Sequence, residues 1–216
     1  MYNIIIVGAG GFGREVYAWA YETYLKSENN NYKIKGFLDT NLKSLDGFNI
    51  NSKVLSDENN YLVAENDRFI FAIGNIDTKK KIVKILEGKG AQFISLIHHT
   101  AVIAPTAKIG KGCVICPFVI VSDNVVINDF SMLNYYSSCG HDATVGKYSI
   151  LSPYATLNGF SVLEDEVFLG THSTVTVNCK IGYRSKVSAN SVAMNDVPRH
   201  SLVYGVPGRT KVIFHE

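Results

Sequence analysis

The 216-residue chain has little of several things, and each shortage narrows the reading. No apolar run approaches the roughly 20 residues that a helix needs to span a bilayer. Formal net charge is only +2, with no basic block or stripe, so a nucleic-acid partner has little electrostatic support and neither nucleic acid nor membrane is expected as a partner. The N-terminal MYNIIIVGAGGFG is apolar but lacks a basic flank and a cleavage signature. It reads as a buried strand entering a glycine turn, and a cytoplasmic location is the default expectation. Cysteine is limited to Cys113, Cys116, Cys139 and Cys179. The first two form a CxxC, but no second CxxC or clustered histidine completes a tetrahedral site, and no metal is expected.

What is present divides the chain near residue 95. Residues 1–95 alternate between strand and helix. Apolar segments at 2–7, 32–39 and 68–75 read as three strands, amphipathic segments at 14–26 and 79–88 as helices, and 26–31 as a polar surface loop. Strands alternating with helices imply a parallel sheet with βαβ crossovers, an α/β unit of Rossmann-like half-domain size.

Residues 96–216 follow a different period. Every sixth residue from Ile97 through Ile103, Ile109, Ile115 and onward to Val187 is aliphatic, with Cys139 the single exception. Two residues before each lies a small residue or valine, as in Ser137, Ala143, Ser149 and Ala155. Neither an α-helix nor an alternating hairpin sustains a strict six. A parallel β-helix does, with each hexad forming one flat face of a prism and stacked coils burying a continuous core. The aliphatic residue is expected to fill the axis and the small one to turn the corner. Cys139, on the axial register, is then buried and inert.

Two residues after the axial position lie Pro105, Pro117, Pro153, Asp123, Asp129, Asp165 and Lys147, so that slot is an outward corner. His141 occupies the same slot, with Asp142 next to it, an imidazole beside a carboxylate on a solvent-facing edge. Asp123, one coil earlier, is a second candidate carboxylate. His99 takes a corner slot without an acidic neighbour and reads as structural; Asn134 and His172 are candidates for cleft walls, and His200 gets no role. The closing VPRHSLVYGVPGRTKV leaves the register and is expected to cap the last coil.

Gly8-x-Gly10-x-x-Gly13 after a strand, with Asp39 ending the next, matches a dinucleotide fingerprint. A unit of three strands is about one mononucleotide-binding half, which suits a nucleotide diphosphate on the backbone N–H groups of the turn. A purely structural βα turn and a nicotinamide dinucleotide site are the alternatives.

The combination of VGAGGFGREV, FLDT, FAIGN, LIHHTAVIAPTAKIGKG, GHDATVG and VYGVPGRTKV resembles the bacterial sugar acetyltransferases of the PglD and NeuD type, hexapeptide-repeat proteins with a left-handed β-helix. The resemblance runs along essentially the whole chain. It implies a homotrimer, acetyl-CoA as co-substrate in the cleft between neighbouring β-helices, and direct acetyl transfer to a nucleotide-linked amino sugar, a 4-amino-4,6-dideoxyhexose in surface glycan synthesis. It assigns His141 as general base and Asp142 as the acidic residue supporting it. Gly10, Gly11, Phe12, Asp39, Thr40 and Gly74 would hold the nucleotide sugar; Ile150, Thr171, Ala189, Gly205 and Pro207, with Arg209 beside them, would contact CoA. Two positions depart from the pattern: Phe12 stands where the group often has histidine, and Ile150 where PglD has a CoA-contacting histidine. Acetylation of a sugar hydroxyl, as in sialic acid O-acetyltransferases, and a non-catalytic nucleotide-sugar-binding scaffold are the other readings.

Overall fold

The computed structural model describes residues 1–25 and 31–213. Of the polar segment expected at 26–31, only Asn31 lies within the described residues, and the end expected for the first helix lies outside them. Contacts divide the chain into Met1–His99 and Thr100–Glu216. Among the described residues no helix is long and apolar enough to cross a membrane.

The first unit is a parallel sheet built from β1 (Tyr2–Val7), β2 (Tyr32–Leu38), β3 (Val54–Ser56), β4 (Asp67–Phe71) and β5 (Gln92–Phe93), in the order β3-β2-β1-β4-β5. The three strands expected are therefore five; β3 and β5 are three and two residues long, too short to carry a period. β1 lies centrally between β2 and β4, with Ile4, Ile5 and Ile6 fully buried, which is why it reads as a continuous apolar run rather than an alternating one. Helix α1 (Gly11–Ala20) follows β1, begins three residues before the expected start, and passes into a π-helical turn, Tyr21–Leu25. Helix α2 (Ile76–Gly88) also starts early, because Asn75 caps it by accepting the Thr78 N–H at 2.8 Å. The chain winds outward from β1 on both sides, so the carboxyl ends of β1 and β4 flank a topological switch point, where open α/β sheets bind ligands.

The second unit is a left-handed parallel β-helix of two-residue strands. Pairing advances one coil at a time: Val102, Ile120, Ser138, Thr156, Thr174 and Val192 stack on one face, and Lys108, Val126, Thr144, Val162 and Lys180 on the next. From Ile115 onward the axial residues are buried as expected, and Cys139, Val145, Leu151 and Leu157 have no exposure, whereas Ile97, Ile103 and Ile109 at the start of the register are partly exposed. The small residues depart from the expectation. Ser137, Ala143, Ser149 and Ala155 are fully buried and follow the turns rather than make them. The turns fall on the pair before each, His141–Asp142 for example, and smallness is required inside the corner, where the chain re-enters the core.

The second residue of each regular turn from Phe118 onward has positive φ. From Phe118 through Asn124, Phe130, Tyr136 and Asp142 to Asn190, every sixth residue is left-handed although none is glycine. The usual cost of about 1–2 kcal/mol for such a residue is offset by what the conformation achieves. It points the amide along the prism axis, so that Asp142 donates to the Asp123 carbonyl (2.9 Å), Phe160 to His141 (3.0 Å) and Asn190 to Thr171 (2.9 Å). On one corner the side chains stack as well. Phe118, Tyr136, Tyr154 and His172 form a ladder with centroid spacings of 5.0, 5.0 and 4.6 Å and near-parallel planes. The closing segment continues as a hairpin of Ser201–Tyr204 and Arg209–Val212 whose first strand pairs with Lys186–Val187.

Candidate active site

The carboxyl ends of β2, β1 and β4 bring together the six residues expected to hold a nucleotide sugar: Asp39 and Thr40 after β2, Gly10, Gly11 and Phe12 after β1, and Gly74 just beyond β4. The glycines differ in kind. Gly8 has φ +102°, and a Cβ on Gly13 would lie 2.1 Å from the Gly8 carbonyl oxygen, so these two are demanded by the turn itself. Gly10 and Gly74 would meet nothing within 4 Å. Their bareness leaves backbone open to an approaching ligand. Asp39 is half-buried and holds the turn to β2: Oδ2 accepts the Ala9 N–H at 2.8 Å and Oδ1 the Asn41 N–H at 2.9 Å. Phe12 packs edge-on against Trp19 at 5.9 Å.

Sequence reasoning missed a cleft of about 480 Å³ along the flank of α1, lined by Arg14, Tyr17, Tyr21, Glu22, Phe48 and Ile50. Arg14 lies 3.6 Å over the Phe48 ring. A cation and aromatic faces in one groove suit a flat or anionic ligand. Its only sequence signal is the spacing of Arg14, Tyr17, Ala18 and Tyr21 on one helical face.

In the second unit His141 stands on an exposed corner, its side chain 59% accessible. Its Nδ1 lies 2.9 Å from Asp142 Oδ2. A carboxylate there accepts the Nδ1–H, selects that tautomer and leaves the Nε2 lone pair available as a base. Asp142 is itself braced from the coil below by Asn124, whose Nδ2 approaches Oδ1 at 3.4 Å. Asp123, the other candidate carboxylate, is engaged by the Thr106 hydroxyl. Above, Phe160 meets the imidazole edge to face at 5.0 Å, and Gly159 lies against it: a Cβ there would come within 2.9 Å of Cε1 and Nε2. The imidazole thus has a carboxylate at its side and a cleared floor.

The residues expected to contact CoA separate into two sets. Thr171 and Ala189 are exposed on consecutive coils of the aromatic-ladder corner, joined by the Asn190-to-Thr171 backbone bond. Gly205 adjoins them, its N–H donating to Ser191 Oγ at 2.9 Å, with Pro207 exposed on the same hairpin turn and Arg209 exposed at the start of the strand that follows. Ile150 is 2% exposed and packed. Asn134 accepts the Tyr135 N–H, His172 ends the ladder, and His200 packs against Tyr183.

All four cysteines are buried, and burial pushes Cys139 up to about 12 and Cys179 up to about 11. Thiolate is the reactive form, so neither serves as a nucleophile near neutral pH. The folded protein at pH 8 is expected to release no colour from a disulfide thiol reagent, and to titrate four thiols in denaturant. A rapidly reacting thiol in the native protein would contradict the burial of all four.

Residues 3–86 match the family model described as the PglD N-terminal domain. The UDP-N-acetylbacillosamine N-acetyltransferase of Bacillus subtilis is 27% identical over 119 residues, 53% of this chain, and the match spans 51% of that enzyme's length. The acetyltransferase domain of PglB from Neisseria gonorrhoeae, solved in complex with acetyl coenzyme A, superimposes with a TM-score of 0.85 at 26% identity, covering 96% of this chain and 98% of that one. PerB from Caulobacter crescentus, solved with CoA and GDP-perosamine, gives 0.87 at 23% identity and 98% coverage of both, a likeness of fold.

Proposed function

We propose that this chain, a relative of the PglD-like sugar acetyltransferases, transfers the acetyl group of acetyl-CoA to the amine of a nucleotide-linked sugar, a 4-amino-4,6-dideoxyhexose of surface glycan synthesis. The observation that carries the proposal is the His141–Asp142 pair, held by its Nδ1 contact with Nε2 over Gly159. A sugar amine attacking a thioester must lose a proton, and a neutral imidazole accepts it at Nε2 while Asp142 stabilises the imidazolium. The amine nitrogen bonds to the carbonyl carbon, the tetrahedral intermediate collapses with cleavage of the C–S bond, and the imidazolium returns a proton to the CoA thiolate. Burial of Cys139 supports direct transfer over an acyl-enzyme.

In this reading the first unit binds the nucleotide sugar through Gly10, Gly11, Phe12, Asp39, Thr40 and Gly74, with the pyrophosphate at the N-terminus of α1, which has no acidic residue in its first turn. Residues 96–216 are the transferase domain. Thr171, Ala189, Gly205 and Pro207 meet CoA in a cleft between copies of a homotrimer, and acetyl-CoA as donor places the reaction in the cytoplasm.

The test is thiol release from acetyl-CoA with a panel of UDP-, dTDP- and GDP-linked 4-amino sugars, the product's acetyl group being located by mass spectrometry. N-acetylation of at least one is expected. Acetylation of a sialic acid hydroxyl with none of the amino sugars accepted would replace the acceptor class, and binding of nucleotide sugar without any stabilisation by CoA would make the protein a scaffold.

Gly159→Ala tests the cleared floor. The new methyl meets the imidazole first, at 2.9 Å, and the His141 carbonyl oxygen at 3.3 Å, so the protein should fold with a small loss of stability while kcat falls about 10²-fold, the cost of a misplaced catalytic group. An unchanged kcat would mean that His141 does not work from the position described.

A further inference from the structure

Apart from the glycine turn and the His141 corner, one cluster, which shares Glu22 with the α1 cleft, gathers metal-ligating atoms from distant parts of the first unit. Glu22 Oε2 lies 3.1 Å from His98 Nε2, and His99 brings its ring to a centroid distance of 4.2 Å from that of His98. One ligand atom from each of the three residues falls within 4.8 Å of the others. We propose that Glu22, His98 and His99 bind a divalent first-row transition metal of the zinc class.

Three observations support it. The first is the donor set: two imidazoles and one carboxylate are the ligands of three-residue zinc sites, with water in the fourth position. The second is spacing. Two ligands at about 2.0–2.1 Å from a tetrahedral zinc stand about 3.4 Å apart, close to the Glu22–His98 separation, so a small rotation of His99 completes the triad. The third is that the surrounding scaffold holds the ligands in place. His98 is buried, its ring packed edge-on against Trp19 at 6.4 Å, which fixes the direction of its nitrogens. Glu22 sits on the π-helical turn Tyr21–Leu25, a local geometry frequent at functional sites. Two residues on, the Tyr24 hydroxyl donates to the Ser95 carbonyl at 2.8 Å, tying that turn to the segment carrying both histidines. His99 is exposed, so the metal has a route in and its open coordination position faces water.

The bland alternative is a hydrogen-bonded His98–Glu22 pair with His99 merely beside it, and the experiment separates the two. Full-length protein stripped with chelator is titrated with zinc chloride by calorimetry and with cobalt chloride by visible absorption. One zinc per chain and a tetrahedral cobalt spectrum are expected, together with a zinc-dependent rise in melting temperature. Glu22→Gln and His99→Ala should each weaken zinc about 100-fold or more, the upper end of what losing even a supporting residue costs. Both positions are solvent-accessible, so the apo variants should melt with the unmodified protein; should Glu22→Gln fail to fold, His99→Ala decides alone. Substoichiometric binding, an octahedral cobalt spectrum, or full affinity in the folded His99→Ala protein would overturn the site.

Discussion

Replacing His141 with alanine is expected to lower kcat for acetyl transfer by 10²–10⁴-fold, the range for loss of a positioned general base, while leaving KM for the nucleotide sugar nearly unchanged. The separation of effects follows from the layout. His141 belongs to a corner of the β-helix, whereas the glycine turn and Asp39 are in the other unit. His141→Ala leaves the fold's bonds in place, because the corner is held by main-chain groups: the Asp142 N–H to Asp123 and the Phe160 N–H to the His141 carbonyl. Asp142→Asn should cost less in kcat than His141→Ala, since the base survives but loses the carboxylate on Nδ1. A loss of only a few-fold in His141→Ala would refute the assignment.

The second large effect concerns the glycine turn. Gly13→Ala is expected to destabilise the protein by about 3 kcal/mol, at the top of the usual range for overpacking, and to raise KM for the nucleotide sugar. The added methyl would stand 2.1 Å from the Gly8 carbonyl oxygen, and nothing there is a flexible side chain that can yield. Gly8 is already at φ +102° and is pinned by its own N–H to the Leu38 carbonyl at 2.8 Å. Relief therefore means moving α1 away from β1 or breaking the turn that presents Gly10 and Gly11. Denaturant titration reads the first consequence and substrate kinetics the second. Gly10→Ala is the internal comparison, because its Cβ meets nothing within 4 Å. Equal midpoints for the two variants would contradict the close approach.

These contrasts show where the sequence could be read and where it could not. The hexads were legible because one aliphatic residue in six has no other use than an axis, and the outward place of His141 followed from the prolines, aspartates and lysine sharing its slot. The turn itself was misplaced by one step. Smallness at Ser137 and Ala143 marks the inside of a corner, while the residues that bend the chain have no common chemistry: phenylalanine, asparagine, tyrosine and aspartate all take the left-handed conformation. In the first unit, β1 was plain from its apolar run, but β3 and β5 are too short to declare themselves. The α1 cleft and the Glu22–His98–His99 cluster depend on a fold that joins residues 76 apart in the chain, and the π-helical turn that positions Glu22 has no sequence signature.

The amides that run along the prism axis at successive turns hold the corners through the main chain, whichever side chains they carry. Position in the chain then converts directly into position in space. Six residues further on is the next face at the same level, and eighteen is the same corner one strand spacing higher, about 4.8 Å. The β-helix is in this sense a ruler with three graduated edges, on which His141 is a single mark. A duplicated or deleted coil would move that mark by a whole graduation without disturbing the edge it stands on, so the gap between a base and the partner it must meet can be retuned by copying eighteen residues rather than redesigning a surface.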